Sequence, residues 1–117
     1  MVFKTMKEQK TFSLSSQEKN LMEFGTEELE DLLENMLVTP DEFVVLTAPK
    51  AQGQQIRYVQ ARAKDDSEIK VELGVEESDG THLYYKICEE EECFRIFQDF
   101  FAGRLKVKMD EFQPVQF

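Results

Sequence analysis

From Glu68 to Val75 the chain alternates in character. Ile69, Val71, Leu73 and Val75 fall on one side of an extended backbone, and Glu68, Lys70 and Glu72 fall on the other. A period of two marks a strand with one dry face and one wet face. Such a strand obliges the rest of the chain to supply both partner strands and a cover for the dry face. Candidate neighbours lie on either side. Phe43 to Leu46 is a short apolar run between Pro40 and Pro49, which suits a central strand buried on both sides. Ile56 to Ala63 reads as a strand that turns through the polar stretch Lys64–Ser67. After the turn signal Asp79-Gly80, Leu83, Tyr85 and Ile87 alternate with His82, Tyr84 and Lys86, and the apolar set is expected to join the dry face. These segments predict an antiparallel meander, with a turn or loop over Ala48–Gln54.

Two segments change period and can provide the cover. After Gly25, Thr26 is a suitable N-cap and acids fill the first turn. Leu29, Leu32, Leu33, Met36 and Leu37 then recur at helical spacing until Thr39-Pro40. Glu89 to Glu92 open a second helix whose stripe is Cys93, Phe94, Phe97, Phe100 and Phe101, with Gly103 as its stop. The tail alternates again (Leu105, Val107, Met109) and ends with Phe112, Val115 and Phe117, which is expected to add an edge strand or wrap the core. The predicted fold is α+β: a four-stranded antiparallel meander, five-stranded if the tail joins. N-terminal and C-terminal helices pack on one face, in the order α-β-β-β-β-α. With 117 residues, one core is expected. Residues 1–20 are read as a loosely ordered arm, with a short strand near Thr11 to Leu14, and residues 21–117 as the single domain.

Charge narrows the function. There are 24 acids and 14 bases, a formal net charge of −10, and the imbalance is uneven: Leu21 to Glu42 hold eight acids and no base. That field repels nucleic acid and anionic membrane, both of which need Lys and Arg to replace counterions, and it favours a basic protein partner. The plainer reading is that the acidity serves solubility. No run approaches the length of a membrane span, and Met1 to Lys10 lacks the apolar core of a signal peptide, so a cytoplasmic location is expected.

Catalytic machinery is sparse. The only histidine, His82, falls on the polar side of its strand and reads as a surface residue. Cys88 and Cys93 form no CxxC pair, and neighbouring acids oppose a thiolate. One His and two Cys do not complete a structural zinc tetrad, and no calcium-loop spacing occurs; Glu76, Glu77 and Asp79 form either a weak cation turn or a solvated one. Isolated glycines give no phosphate loop. The chain is therefore expected to be no enzyme and to bind no cofactor or metal. The acids Glu27, Glu28, Glu30, Asp31 and Glu34 crowd one helix face without a lysine, a self-repelling arrangement that is either solvated surface or an electrostatic docking face. Tyr58, His82 and Tyr84, if exposed on the open sheet face, would add contact residues; the face that carries Tyr58 stays open.

From Gly25 to Phe112 this order resembles small bacterial immunity proteins of polymorphic toxin systems. The likeness is carried by the acidic leucine helix Glu27–Leu37, the segments DEFVVLTAP, IRYVQARAKDD and EIKVELGVEE, and a helix ending FQDFFAGR. The resemblance implies stoichiometric binding and inhibition of a toxin, often a basic nuclease, without catalysis. The alternative is a self-associating structural or adaptor module that forms homo-oligomers.

Overall fold

The computed structural model describes residues 12–49, 55–65 and 68–115. Four of the expected features therefore lie wholly or partly outside it: the arm up to Thr11, the loop within 50–54, the turn at 66–67, and Phe117. The described chain runs β1 (Ser13–Ser15), β2 (Asn20–Leu21), α1 (Thr26–Val38), β3 (Phe43–Thr47), β4 (Ile56–Asp65), β5 (Glu68–Glu77), β6 (Gly80–Cys88), α2 (Glu90–Phe101), a 3₁₀ turn over Met109–Glu111 and β7 (Gln113–Pro114). All seven strands join one antiparallel sheet in the order β2-β1-β3-β4-β5-β6-β7. This corrects the expected four- or five-strand sheet with the order α-β-β-β-β-α. Strands precede the first helix, so that helix is not the N-terminal element, and short strands extend both sides of the β3–β6 meander. The residues that hid this are few and weakly patterned. β1, β2 and β7 have three, two and two residues, too few to show a period. What the structure describes of the arm, from Phe12 to Asn20, lies in or beside the sheet, with Leu14 fully buried.

The core follows from cross-strand register. Leu14, Leu46, Val59 and Leu73 stand opposite one another across four adjacent strands, and Val44, Ala61 and Val71 form the next row. All seven are fully buried. Onto this face α1 places Leu29, Leu32, Leu33 and Met36, and α2 places Cys93, Ile96, Phe97 and Phe100. Each large side chain so buried contributes about 1.5–3 kcal/mol relative to exposure. The helices meet the N-terminal segment at an aromatic corner. Phe12 packs edge-on to Phe100 and Phe101, and Phe24 stacks on Phe101 with centroids 5.1 Å apart.

The helix ends obey local chemistry. At the start of α1 the cap is Gly25, one residue earlier than Thr26, because the Glu28 carboxylate reaches back to accept the Gly25 N–H at 2.7 Å. At the end of α2, Gly103 takes φ 76°. Its N–H donates to the Phe100 carbonyl while the Arg104 N–H donates to Asp99, which closes a Schellman turn. The one buried charged side chain among the described residues, Glu42, accepts the backbone N–H groups of Gln17 and Phe43, both at 2.9 Å. It thereby ties the β1–β2 loop to the start of β3.

Two face assignments differ from expectation. β3 is buried on one side only: Val44 and Leu46 are enclosed, whereas Phe43, Val45 and Thr47 sit half-buried on the uncovered face. β6 is turned over. Its register with β5 pairs Cys88, Lys86, Tyr84 and His82 with Ile69, Val71, Leu73 and Val75, so the polar set lies on the covered side and Leu83, Tyr85 and Ile87 lie on the open one. Ion pairing allows this. Lys86 Nζ, beneath α2 and the C-terminal segment, lies 2.6 Å from Glu92 and 3.0 Å from Glu111, and the ammonium sits over the buried Phe112 ring. These contacts, the Glu92 hydrogen bond first, raise the lysine's pKa. An apolar-outward alternation therefore describes β6, because its covered side meets carboxylates instead of leucines.

Tyr58 belongs to the uncovered face. The regular register that pairs Val59 with Leu73 sets it opposite Gly74, next to a bulge between Ile56 and Tyr58, and its ring lies so close that a Cβ on Gly74 would come within 2.2 Å of it. Burial, and then the nearby Glu72, raises the phenol's pKa. The expected outcome of Gly74→Ala is a loss of about 1–3 kcal/mol in urea unfolding. Most of that loss should be recovered in the Gly74→Ala/Tyr58→Ala double variant relative to Tyr58→Ala alone.

Candidate functional site

The residues singled out by sequence divide among three places. The first is the outer face of α1. Its burial pattern turns the leucines inward, so Glu27, Glu28, Asp31 and Glu34 are exposed. Glu30 is half-buried and accepts a hydrogen bond from Gln98 of α2 at 2.8 Å, which fixes the two helices side by side. α1 carries five acids and no base, and α2 carries four acids and one arginine. Among the described residues no ion pair reaches the acids of α1. Glu28 has its pKa lowered by the Gly25 N–H that it accepts. The outer face of α1 is therefore a run of negative charge without an ion pair among the described residues, whereas in α2 Glu92 pairs with Lys86 and Asp99 with Arg104.

The second place is the uncovered face of the sheet. Phe43, Arg62, Lys70 and Ile87 form one cross-strand row, and Val45, Gln60, Glu72 and Tyr85 the next. Several of its charges find contacts within the face. Arg62 lies over the Phe43 ring, Lys70 lies 5.0 Å from the Tyr85 ring centroid, and Lys70 and Glu72 pair at 3.5 Å. Tyr58 is the one sequence candidate on this face. His82 and Tyr84, expected beside it, lie on the other side of the sheet because β6 is turned over.

The third place is the β5–β6 turn, where four side chains meet. His82 Nε2 is 2.7 Å from Asp79 Oδ1 and 3.8 Å from Glu77 Oε1, and the Tyr84 hydroxyl donates to Glu77 Oε2 at 2.8 Å. The Asp79 contact raises the pKa of His82, the same contact lowers that of Asp79, and the Glu77 hydrogen bond raises that of Tyr84. In the sequence Glu76, Glu77 and Asp79 read as a solvated turn, with a weak cation turn as the alternative. The folded turn instead assembles Glu77 and Asp79 with His82, and Glu76 is not part of the group. Beside it runs a groove of about 690 Å³ whose lining includes Ile56, Val75, Leu105 and Val107 and shares Glu77 and Tyr84 with the cluster.

The cysteines offer no nucleophile. Both are reduced and buried. Burial, then Glu92, pushes the Cys88 thiol up to about 11, and burial drives Cys93 higher still. No helix among the described residues is long and apolar enough to cross a membrane. Comparison with protein-family models, with curated proteins and with solved structures finds no match to this chain.

The thiol environment makes a direct prediction. At pH 8 in native buffer, a disulfide reagent should titrate far less than one thiol per chain within minutes, and two after unfolding. Rapid native reaction of Cys88 would show an open strand end.

Proposed function

We propose that this chain is a non-catalytic binding protein that docks a basic protein surface against α1, in the manner of an immunity protein neutralising a toxin in the cytoplasm. The observation that supports this most is the exposed set Glu27, Glu28, Asp31 and Glu34, which is held on one helix and meets no ion-pair partner among the described residues. Like charges at helical spacing weaken their own helix, so their retention on one face is most simply understood if a cationic surface relieves them. Charge complementarity of this kind acts chiefly on the association rate. Because α1 is anchored by four buried side chains and the Glu30–Gln98 hydrogen bond, docking requires no refolding.

A second reading, self-association as a structural or adaptor module, draws on the uncovered face, where Phe43, Val45, Tyr85 and the exposed Ile87 share two adjacent rows. Sedimentation velocity at about micromolar concentration separates the readings, since a monomer excludes a stable homo-oligomer.

The docking proposal is tested with the triple variant Glu27→Lys, Asp31→Lys, Glu34→Lys, whose positions are all solvent-facing. A basic protein recovered from host lysate by the wild type at low salt should associate with the purified chain at a rate that falls as salt rises. The triple variant should slow that association at least about tenfold. Equal rates for wild type and variant, or a rate indifferent to salt, would contradict the proposal.

A further inference from the structure

We propose that Glu77, Asp79 and His82 form a binding site for one divalent transition-metal ion of the Zn²⁺ class, with Tyr84 as the residue that positions Glu77. Each of the three side chains offers a ligand atom, and these atoms all lie within 4.8 Å of one another. An ion with bonds of about 2.0–2.2 Å places tetrahedral neighbours roughly 3.3 Å apart. The separations of Nε2 from Asp79 Oδ1 and Glu77 Oε1, 2.7 and 3.8 Å, bracket that value, so small side-chain rotations bring the set onto an ion without moving the backbone.

The arrangement differs from an ordinary acidic turn in two respects. It includes an imidazole, which two-carboxylate turns that hold Mg²⁺ or Ca²⁺ do not need and which shifts preference toward Zn²⁺ and its neighbours. It also has an outer partner: the Tyr84 hydroxyl occupies Glu77 Oε2, which leaves Oε1 directed to His82. The hairpin supplies the geometry. Glu77 ends β5, Asp79 sits in the two-residue turn and His82 follows Gly80 and Thr81 into β6, so ligands two and three residues apart converge. Three protein ligands leave at least one coordination position for water or a group from another molecule, next to the groove that Glu77 and Tyr84 also line. The site is remote in sequence from the α1 acids, and neither proposal depends on the other.

Calorimetric titration of the untagged full chain with Zn²⁺, and separately with Mg²⁺, tests the site. The expected result is one Zn²⁺ per chain, with no saturation by Mg²⁺ at the same concentrations. His82→Ala should abolish the isotherm and Glu77→Gln should weaken it severely. Tyr84→Phe, which keeps all three ligands, should weaken binding about tenfold or more. Zn²⁺ should also raise the thermal midpoint of the wild type and leave that of His82→Ala unchanged. All three side chains lie at an exposed or half-exposed hairpin end, and far-UV circular dichroism confirms that each variant is folded. No saturable Zn²⁺ binding below about 1 mM, binding unaltered in folded His82→Ala, or equal affinity for Mg²⁺ would each overturn the assignment.

Discussion

The structure depends on a row of four apolar side chains, Leu14, Leu46, Val59 and Leu73, aligned across adjacent antiparallel strands and wholly removed from water. Because a strand's side chains alternate, fixing this row on one face fixes the face of every other residue in those strands. It also fixes where the two helices must lie, since among the described residues they carry the buried apolar stripes that cover this face. A one-residue slip in any member would expose its whole apolar set, so the register is held by the entire core and not by any single turn.

That constraint sorts the charges. Acids displaced from the apolar faces of α1 and α2 collect on the outer helical surface, whereas the uncovered sheet face keeps both signs and quiets them against aromatic rings and one another. The two surfaces therefore differ in kind: one is a long-range negative field, the other a short-range mixed surface with apolar margins. Between them, Lys86 joins β6, the first turn of α2 and the C-terminal segment through Glu92, Glu111 and Phe112. A lone lysine under a helix is costly to bury. With two carboxylates it becomes the fastening for a segment that has little regular structure of its own.

Much of this was legible in the residues and some was not, for identifiable reasons. The two helices and the β5 alternation could be read because each bears a sustained apolar period over a face that is covered throughout. β6 misled because sequence periodicity reports which residues are apolar and not which side is covered; here its covered side is polar and paired. The short strands β1, β2 and β7 carry too few residues for a period, and their place in the sheet follows from tertiary pairing alone. The β5–β6 cluster was half visible. Glu77 and Asp79 stood out as acids in a turn, but His82 joins them only once the hairpin closes. Tyr58 was undetermined because Ile56 and Val59 are both apolar but fall on one face only through the irregularity between Ile56 and Tyr58, which no alternation count reveals; Tyr58 itself alternates regularly with Val59 and Gln60.

The most direct test of the account is thiol labelling of cysteines introduced one at a time at Arg62, Lys70 and Ile87, and at Ala61, Val71 and Leu73, each beside the buried native Cys88 and Cys93. The one-sided sheet requires the first three to react with maleimide at rates close to a free thiol and the second three to be protected until the protein unfolds. Protection of the first group together with rapid labelling of the second would reverse the faces of the sheet and contradict the architecture from which every surface described above is derived.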